Sequence, residues 1–364
     1  MSAAQRLPFR YLEPAFFAGL LDDPLLWVRI RPLGRALLFD CGQLAHLAKR
    51  VVKPIDTVFV SHAHMDHLMG LPTLVRHHHA SPKALDLYGP AGMAERVYHQ
   101  LGGYDWNLCE PTWCTLRVHE VHPAEIHHYR FSGPQGFRRH VDGVSLRDGP
   151  VIWSCRYARV SAVILDHRLP VLAFRLEERS PFALDRQKLA AQGLVPGARG
   201  SESSSTASGR GRGEGTLPVW QRQGEAVVTA PREARPLYES IRLEVRPEAV
   251  GYLTDVGWTT ANRARILAFF NDLTLLCADC AFLAEDVAKA RQSYHLSTRD
   301  LNELAQRLAP RFLLPMHLSK SYLRRWEELY RELQPPAATT VLPLPPHVVP
   351  PPLQVEAGRR WLRP

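Results

Sequence analysis

Within six residues this chain places His62, His64, Asp66 and His67. Imidazole and carboxylate are the donors that borderline divalent ions such as zinc prefer. A single one of these residues could be incidental in a polar loop, but four in the spacing H-x-H-x-D-H predict a metal centre. Val58, Phe59 and Val60 precede them as a short β-rich apolar run, which predicts a buried strand with the polar burst at its end. His62 and His64 lie two apart on extended chain and point the same way, whereas Asp66 and His67 diverge as the chain turns toward a helix at Leu71, Pro72 and Thr73. The two histidines can therefore serve one ion and the Asp-His pair a second.

This pattern resembles the signature of the metallo-β-lactamase-fold hydrolases. The resemblance implies an α/β fold, a four-layered αββα sandwich with a dinuclear metal site at one end. It also implies three later ligands, a His, a bridging Asp and a His, each following an apolar strand. The run 162–165 leads to His167, the run 250–254 to Asp255, and the run 312–316 to His317. Carried over position by position, the resemblance gives His62, His64 and His167 to one ion and Asp66, His67 and His317 to the other, with Asp255 between them and zinc as the metal.

Within that superfamily, the stretch 165–178 is most similar to ribonuclease Z, the endonuclease that trims precursor tRNA at its 3′ end. The resemblance extends to Asp279 and His295, where the family has a Glu and a His-Ser-Thr; here Leu296 separates His295 from Ser297 and Thr298. It implies hydrolysis of the 3′ trailer by a metal-bound hydroxide that Asp66 orients, with His295, held by Asp279, protonating the leaving 3′ oxygen. RNA is the implied partner and a homodimer the implied assembly. Two other readings stand beside this one: a hydrolase of small phosphodiesters or aryl sulfates on the same core, and an RNA-binding protein without catalysis.

The elements that must position these groups follow in order. Strands 25–30 and 35–40 flank a Pro-Leu-Gly break as a hairpin, and Asp40-Cys41-Gly42 leads into a helix predicted through Leu44, Leu47 and Ala48. Asp40 either supports a ligating imidazole or caps that helix. Helices are predicted over 71–80 and 93–101, with His77, His78 and His79 facing solvent or RNA, and a strand over 84–90. Residues 104–150, with Trp106 and Trp113, read as strands of a second sheet whose histidines at 119, 122, 127, 128 and 140 have no ligand pattern. A strand is predicted over 241–245 and a helix over 259–270. Ser297 with Asp300 forms a capping box just after His295. Cys277 and Cys280 sit in an apolar run, where small thiols pack.

With 364 residues, 45% of them hydrophobic, the chain can bury one large core. A hydrolase domain is expected over 1–334, with an arm-like insert over 180–240 and a Pro-rich tail over 335–364 that runs as extended edge or loop. Residues 198–215 are too poor in apolar groups to fold alone, and Arg199, Arg210 and Arg212 there could meet phosphates. The net charge of +9, from 45 basic against 36 acidic residues, favours a polyanionic partner. No apolar run is long enough to span a membrane, and six cysteines make no disulfide framework, so the expected setting is cytoplasmic with no membrane contact.

Overall fold

Alternation along the central strands sorts the side chains into layers. In the computed structural model, which describes residues 6–179, 184–195, 215–224, 226–243 and 246–348, the first sheet holds eight strands in sequence order. They are β1 (Leu12–Phe16), β2 (Leu26–Ile30), β3 (Arg35–Phe39), β4 (Ile55–Phe59), β5 (Ala84–Pro90), β6 (Thr115–Val121), β7 (Glu125–Ser132) and β8 (Arg138–Leu146). The second sheet comprises β9 (Val151–Ser154), β10 (Ala158–Asp166), β11 (Pro170–Glu178), β14 (Ala249–Leu253), β15 (Leu275–Asp279), β16 (Phe312–Met316) and β17 (Thr340–Val341). Between β11 and β14, β12 (Thr216–Gln223) and β13 (Ala226–Glu233) form a separate two-stranded sheet, bridged at Gln221 to Leu194. β3 to β6 are parallel, and so are β14 to β17.

Leu37 and Phe39 of β3 and Phe59 of β4 face the second sheet, where they share a core with Phe174 and Tyr252. Their neighbours Ala36, Leu38 and Val58 face the other way and pack with Leu74 and Val97 of the helices Leu71–His78 and Met93–Gly102. Ile266, Leu301 and Leu304 bring the helices Thr260–Phe269 and Thr298–Leu308 onto the second sheet. Each such Val, Leu, Ile or Phe side chain contributes about 1.5–3 kcal/mol by leaving water. The result is the αββα sandwich, with the carboxyl ends of both parallel blocks at one edge.

Several local expectations need correction. Residues 104–150 extend the first sheet as β6, β7 and β8, and the second begins only at β9, because the turn at His122, Pro123 and Ala124 can reach only an antiparallel neighbour. β1 was not anticipated; it contains Pro14, which an edge strand tolerates. No helix runs through Leu44, Leu47 and Ala48: the backbone at Cys41 is taken up by His67 and Gly70, each at 2.8 Å. His78 is buried, its Nε2 3.2 Å from the carbonyl of Val52, so it faces neither solvent nor RNA.

Ile241 ends the helix Ala234–Ile241 and does not begin a strand, because it and Leu237, one turn apart, pack on Leu194. Glu244 and Val245 lie outside the described residues, as do Arg199, Arg210 and Arg212 of the insert. What is described of the insert adds the helix Arg186–Ala191, capped by Asp185, and the β12–β13 hairpin. Thr340 and Val341 pair with β16, and the carbonyls of Pro345 and Pro346 accept from Leu20 and Leu21. Cys277 and Cys280 are buried free thiols.

Candidate metal centre

Most of the side chains singled out above come from five strand ends along one edge of the sandwich. His62 and His64 follow β4, and the one-turn helix Met65–Leu68 carries Asp66 and His67. His167 sits in the β10–β11 turn, while Asp255, Asp279 and His317 follow or close β14, β15 and β16. Asp40 and His317 hold positive φ, 56° and 65°, a conformation costly for residues with side chains and persistent only where surroundings enforce it. Gly42 and Gly70 let the turn after β3 press backbone to backbone on the histidine loop. A Cβ on Gly70 would lie 2.0 Å from the Gly42 carbonyl.

Two clusters form around one carboxylate. Ligand atoms of His62, His64, His167 and Asp255 lie within 4.8 Å of one another, and those of Asp66, His67 and His317 form a second such group. Asp255 reaches both: its Oδ2 is 3.6 Å from His62, 3.4 Å from His67 and 3.8 Å from His167, and its Oδ1 is 3.4 Å from His317. His62 Nε2, His67 Nε2 and His317 Nδ1 are buried without a hydrogen-bond partner. Polar nitrogens are seldom left so in a folded interior, and a divalent cation satisfies them.

Electrostatics agree with that assignment. Burial, with the charge of His67 beside it, pushes His62 down to about 2. Burial works against a charged His67 too, but Asp255 and Asp40 outweigh it and hold that ring up at about 10. His317 is likewise raised against burial by Asp255, Asp279 and Asp66, while Asp66 and Asp255 lie well below the usual carboxylate range.

Sequence reasoning left the role of Asp40 open and did not reach its partners. Its Oδ2 accepts from His67 Nδ1 at 2.8 Å, Ser61 Oγ at 2.9 Å and Tyr252 Oη at 2.8 Å, and its Oδ1 from the Ser61 amide at 2.7 Å. It caps no helix; it orients an imidazole, turning Nε2 of His67 toward the cluster. His167 is turned the same way by Nδ1 bonding to the Tyr294 carbonyl at 2.7 Å. Tyr252 carried a signal only in hindsight: a hydroxyl on a strand otherwise wholly buried needs a partner.

Asp279 reaches His295, Oδ2 to Nδ1 at 3.2 Å, and also accepts from the Leu296 amide at 3.0 Å. The capping box of Ser297 and Asp300 is present and fixes the chain just after His295. His295, Asp66 and His317 line a cleft of about 600 Å³ with Met65, Phe282 and Lys320. Of the histidines over 104–150, which had no visible pattern, His122 and His127 come together with Glu120.

A family model described as Beta-lactamase superfamily domain matches residues 35–137. A ribonuclease Z of Deinococcus radiodurans is 30% identical over 333 residues, covering 89% of this chain and 95% of that one. A ribonuclease Z of Methanosarcina mazei is 27% identical over 299 residues, covering 79% and 80%. Among solved structures, the short form of human tRNase Z aligns at a TM-score of 0.47 with 13% identity, over 85% of this chain and 93% of that one.

Proposed function

This chain belongs to the ribonuclease Z family of metallo-β-lactamase-fold proteins, and from that premise we propose that it is a metal-dependent endonuclease removing the 3′ trailer of precursor tRNA. His62, His64 and His167 would hold one zinc ion and Asp66, His67 and His317 a second, with Asp255 shared. The observation that carries this assignment is the position of Asp255, within 3.8 Å of His62, His67, His167 and His317. Ions of this class, when bound, polarise a phosphodiester and bring the pKa of coordinated water to about 7.

The residues of the chain divide the remaining work. Asp66, its carboxylate half-exposed in the cleft, accepts a hydrogen bond from the attacking water and directs it at phosphorus. His295 protonates the leaving 3′ oxygen as the P–O3′ bond breaks, and Asp279 holds the ring through Nδ1. The products are a 3′-hydroxyl and a 5′-phosphate. Lys320, exposed at the rim of the cleft, offers a cation to a neighbouring phosphate.

The test is cleavage of precursor tRNA by the purified full chain, beside turnover of a chromogenic bis-aryl phosphate. Trailer removal that requires Asp66 and His295 supports the proposal. Turnover of the small ester with intact tRNA left untouched would replace it with a small-phosphodiester hydrolase, and RNA retention without any turnover with a binding protein.

Three further parts belong to the same proposal. The hydrolase domain spans 1–334, with 180–240 as its RNA-gripping arm and 335–364 as its tail. Two copies associate, for which β8 is suited: it is an edge strand with Val141, Val144 and Leu146 exposed. The setting is cytoplasmic, supported by six free cysteines; among the described residues no helix is long and apolar enough to cross a membrane.

A further inference from the structure

The end of the β6–β7 hairpin repeats, on a smaller scale, the features that mark the main centre. The ladder pairs Glu120 with His127, and the His122 amide donates to the Glu125 carbonyl at 2.9 Å. Side chains two apart on a strand share a face, and so do directly opposed residues. Glu120, His122, Glu125 and His127 therefore form a two-by-two block on one face. His119 and His128 point to the other, where they bond each other and where His119 also bonds Asp86.

One ligand atom from each of Glu120, His122 and His127 lies within 4.8 Å of the other two. The rings of His122 and His127 stack with centroids 4.0 Å apart. His122 Nε2 is buried with no hydrogen-bond partner, as His62 Nε2 and His67 Nε2 are at the main centre, and it stands 3.5 Å from Glu120 Oε2. Glu120 is 5% exposed and commits its other oxygen, Oε1, to the Ala94 amide at 2.8 Å. Its Oε2 is thus left beside the unpartnered imidazole.

His127 is held from behind. Its Nε2 meets Glu125 Oε1 at 2.6 Å, the carboxylate-to-imidazole contact that fixes a ligating ring and leaves Nδ1 as the lone pair. Arg147, the neighbouring cation, is spent on backbone: it donates to the carbonyls of His122, Gly149, Pro150 and Ala162, and so braces the turn. Two nitrogens with one carboxylate oxygen are donors suited to zinc.

We propose that Glu120, His122 and His127 bind one further divalent cation of the zinc class, outside the seven-residue centre. Through Glu120 the ion fastens the β6–β7 turn to the first turn of the helix Met93–Gly102. The site is independent of the hydrolytic reaction and of how many ions the main centre holds.

The experiment compares metal content between chains that share an intact main centre. Full-length protein is stripped with chelator, dialysed against micromolar free Zn²⁺ and analysed for zinc per chain, for the wild type, for His122→Gln/His127→Gln and for Glu120→Gln, which keeps an oxygen for the Ala94 amide. The wild type should retain one equivalent more than the double variant, and Glu120→Gln should bind that equivalent at least tenfold more weakly. All three should turn over the bis-aryl phosphate at the same rate, which also shows that each has folded. Equal zinc content in the wild type and the folded double variant overturns the proposal, as does an extra equivalent that Glu120→Gln takes up at the same free Zn²⁺ as the wild type across a titration from nanomolar to micromolar. Should the double variant misfold, the Glu120→Gln titration alone decides it.

Discussion

The centre at the sandwich edge and the cluster at the hairpin end use the same donors but assemble them in opposite ways. The first gathers residues from five strand ends, and Asp40, buried under it, fixes His67 with the help of Ser61 and Tyr252. The second needs only the pairing of two consecutive strands, and its supporting carboxylate, Glu125, is half-exposed. Long-range assembly brings burial, hence perturbed charge: His67 is raised to about 10 and His62 lowered to about 2 within one loop. Local assembly leaves the rings of His122 and His127 partly exposed, near the surface. The first arrangement suits chemistry, and the second suits fastening.

Substitutions can sharpen or break that contrast. The largest effect is expected from Asp66→Ala, which should slow trailer cleavage by about 10²–10⁴-fold, the range for loss of a positioned acid–base group. The hairpin equivalent of zinc should remain. A rate within threefold of wild type would show that Asp66 has no part in the reaction.

Next comes Asp40→Ala. It touches no substrate, yet loss of a carboxylate behind a ligating imidazole should cost about 10–100-fold in metal affinity or activity. It also leaves Ser61 and Tyr252 buried without their acceptor, at about 1–3 kcal/mol each. Glu125→Ala, its counterpart at the hairpin, should weaken zinc only there; equal damage to cleavage from both would erase the distinction drawn between the two sites.

Tyr252→Phe is milder. Asp40 keeps His67 and Ser61, so the expected loss is about 0.5–1.5 kcal/mol of stability, read from urea unfolding, with cleavage nearly unchanged. A collapse as deep as that of Asp40→Ala would move the anchoring of the network from Asp40 to Tyr252.

The smallest effect concerns His78, a buried histidine that bonds to the Val52 carbonyl. Burial, aided by Lys83, pushes it down to about 4 from an ordinary 6.5. The folded chain keeps this ring neutral while the unfolded chain takes up a proton below 6.5. Its contribution is therefore complete above about pH 6.5 and declines as pH falls toward 4. Urea midpoints measured from pH 7 to 4.5 should drop less steeply in His78→Gln than in the wild type; parallel curves would assign the acid sensitivity elsewhere.

How much of this was legible depends on what kind of regularity places each group. The clustered His62, His64, Asp66 and His67 are readable because sequence spacing alone puts them in one loop, and His167, Asp255 and His317 because the family resemblance calls for three later donors, each after an apolar run whose carboxyl end lies at the sheet edge. The capping box at Ser297 and Asp300 is local and was equally plain. Glu120, His122 and His127 escaped notice because their meeting depends on strand register, and a shift of one residue would have sent them to opposite faces. His78 was misplaced for a related reason: consecutive helical residues face different directions, and only packing against the 49–52 turn decides which one is covered.

Taken alone, the sequence determined the donor types, the order of the strands that deliver them and the polar loops in which they end. The strands and loops follow from hydrophobic period and local backbone preference, and the choice of the three later donors from the family resemblance. The tertiary structure decided which nitrogens lack a partner, which carboxylate lies between two clusters, and that Asp40 serves an imidazole and caps no helix. Those outcomes turn on distances of a few ångströms between residues as far apart in sequence as Asp40 and Tyr252. Such distances are fixed by how two sheets twist and pack, and no pattern within a single segment encodes them.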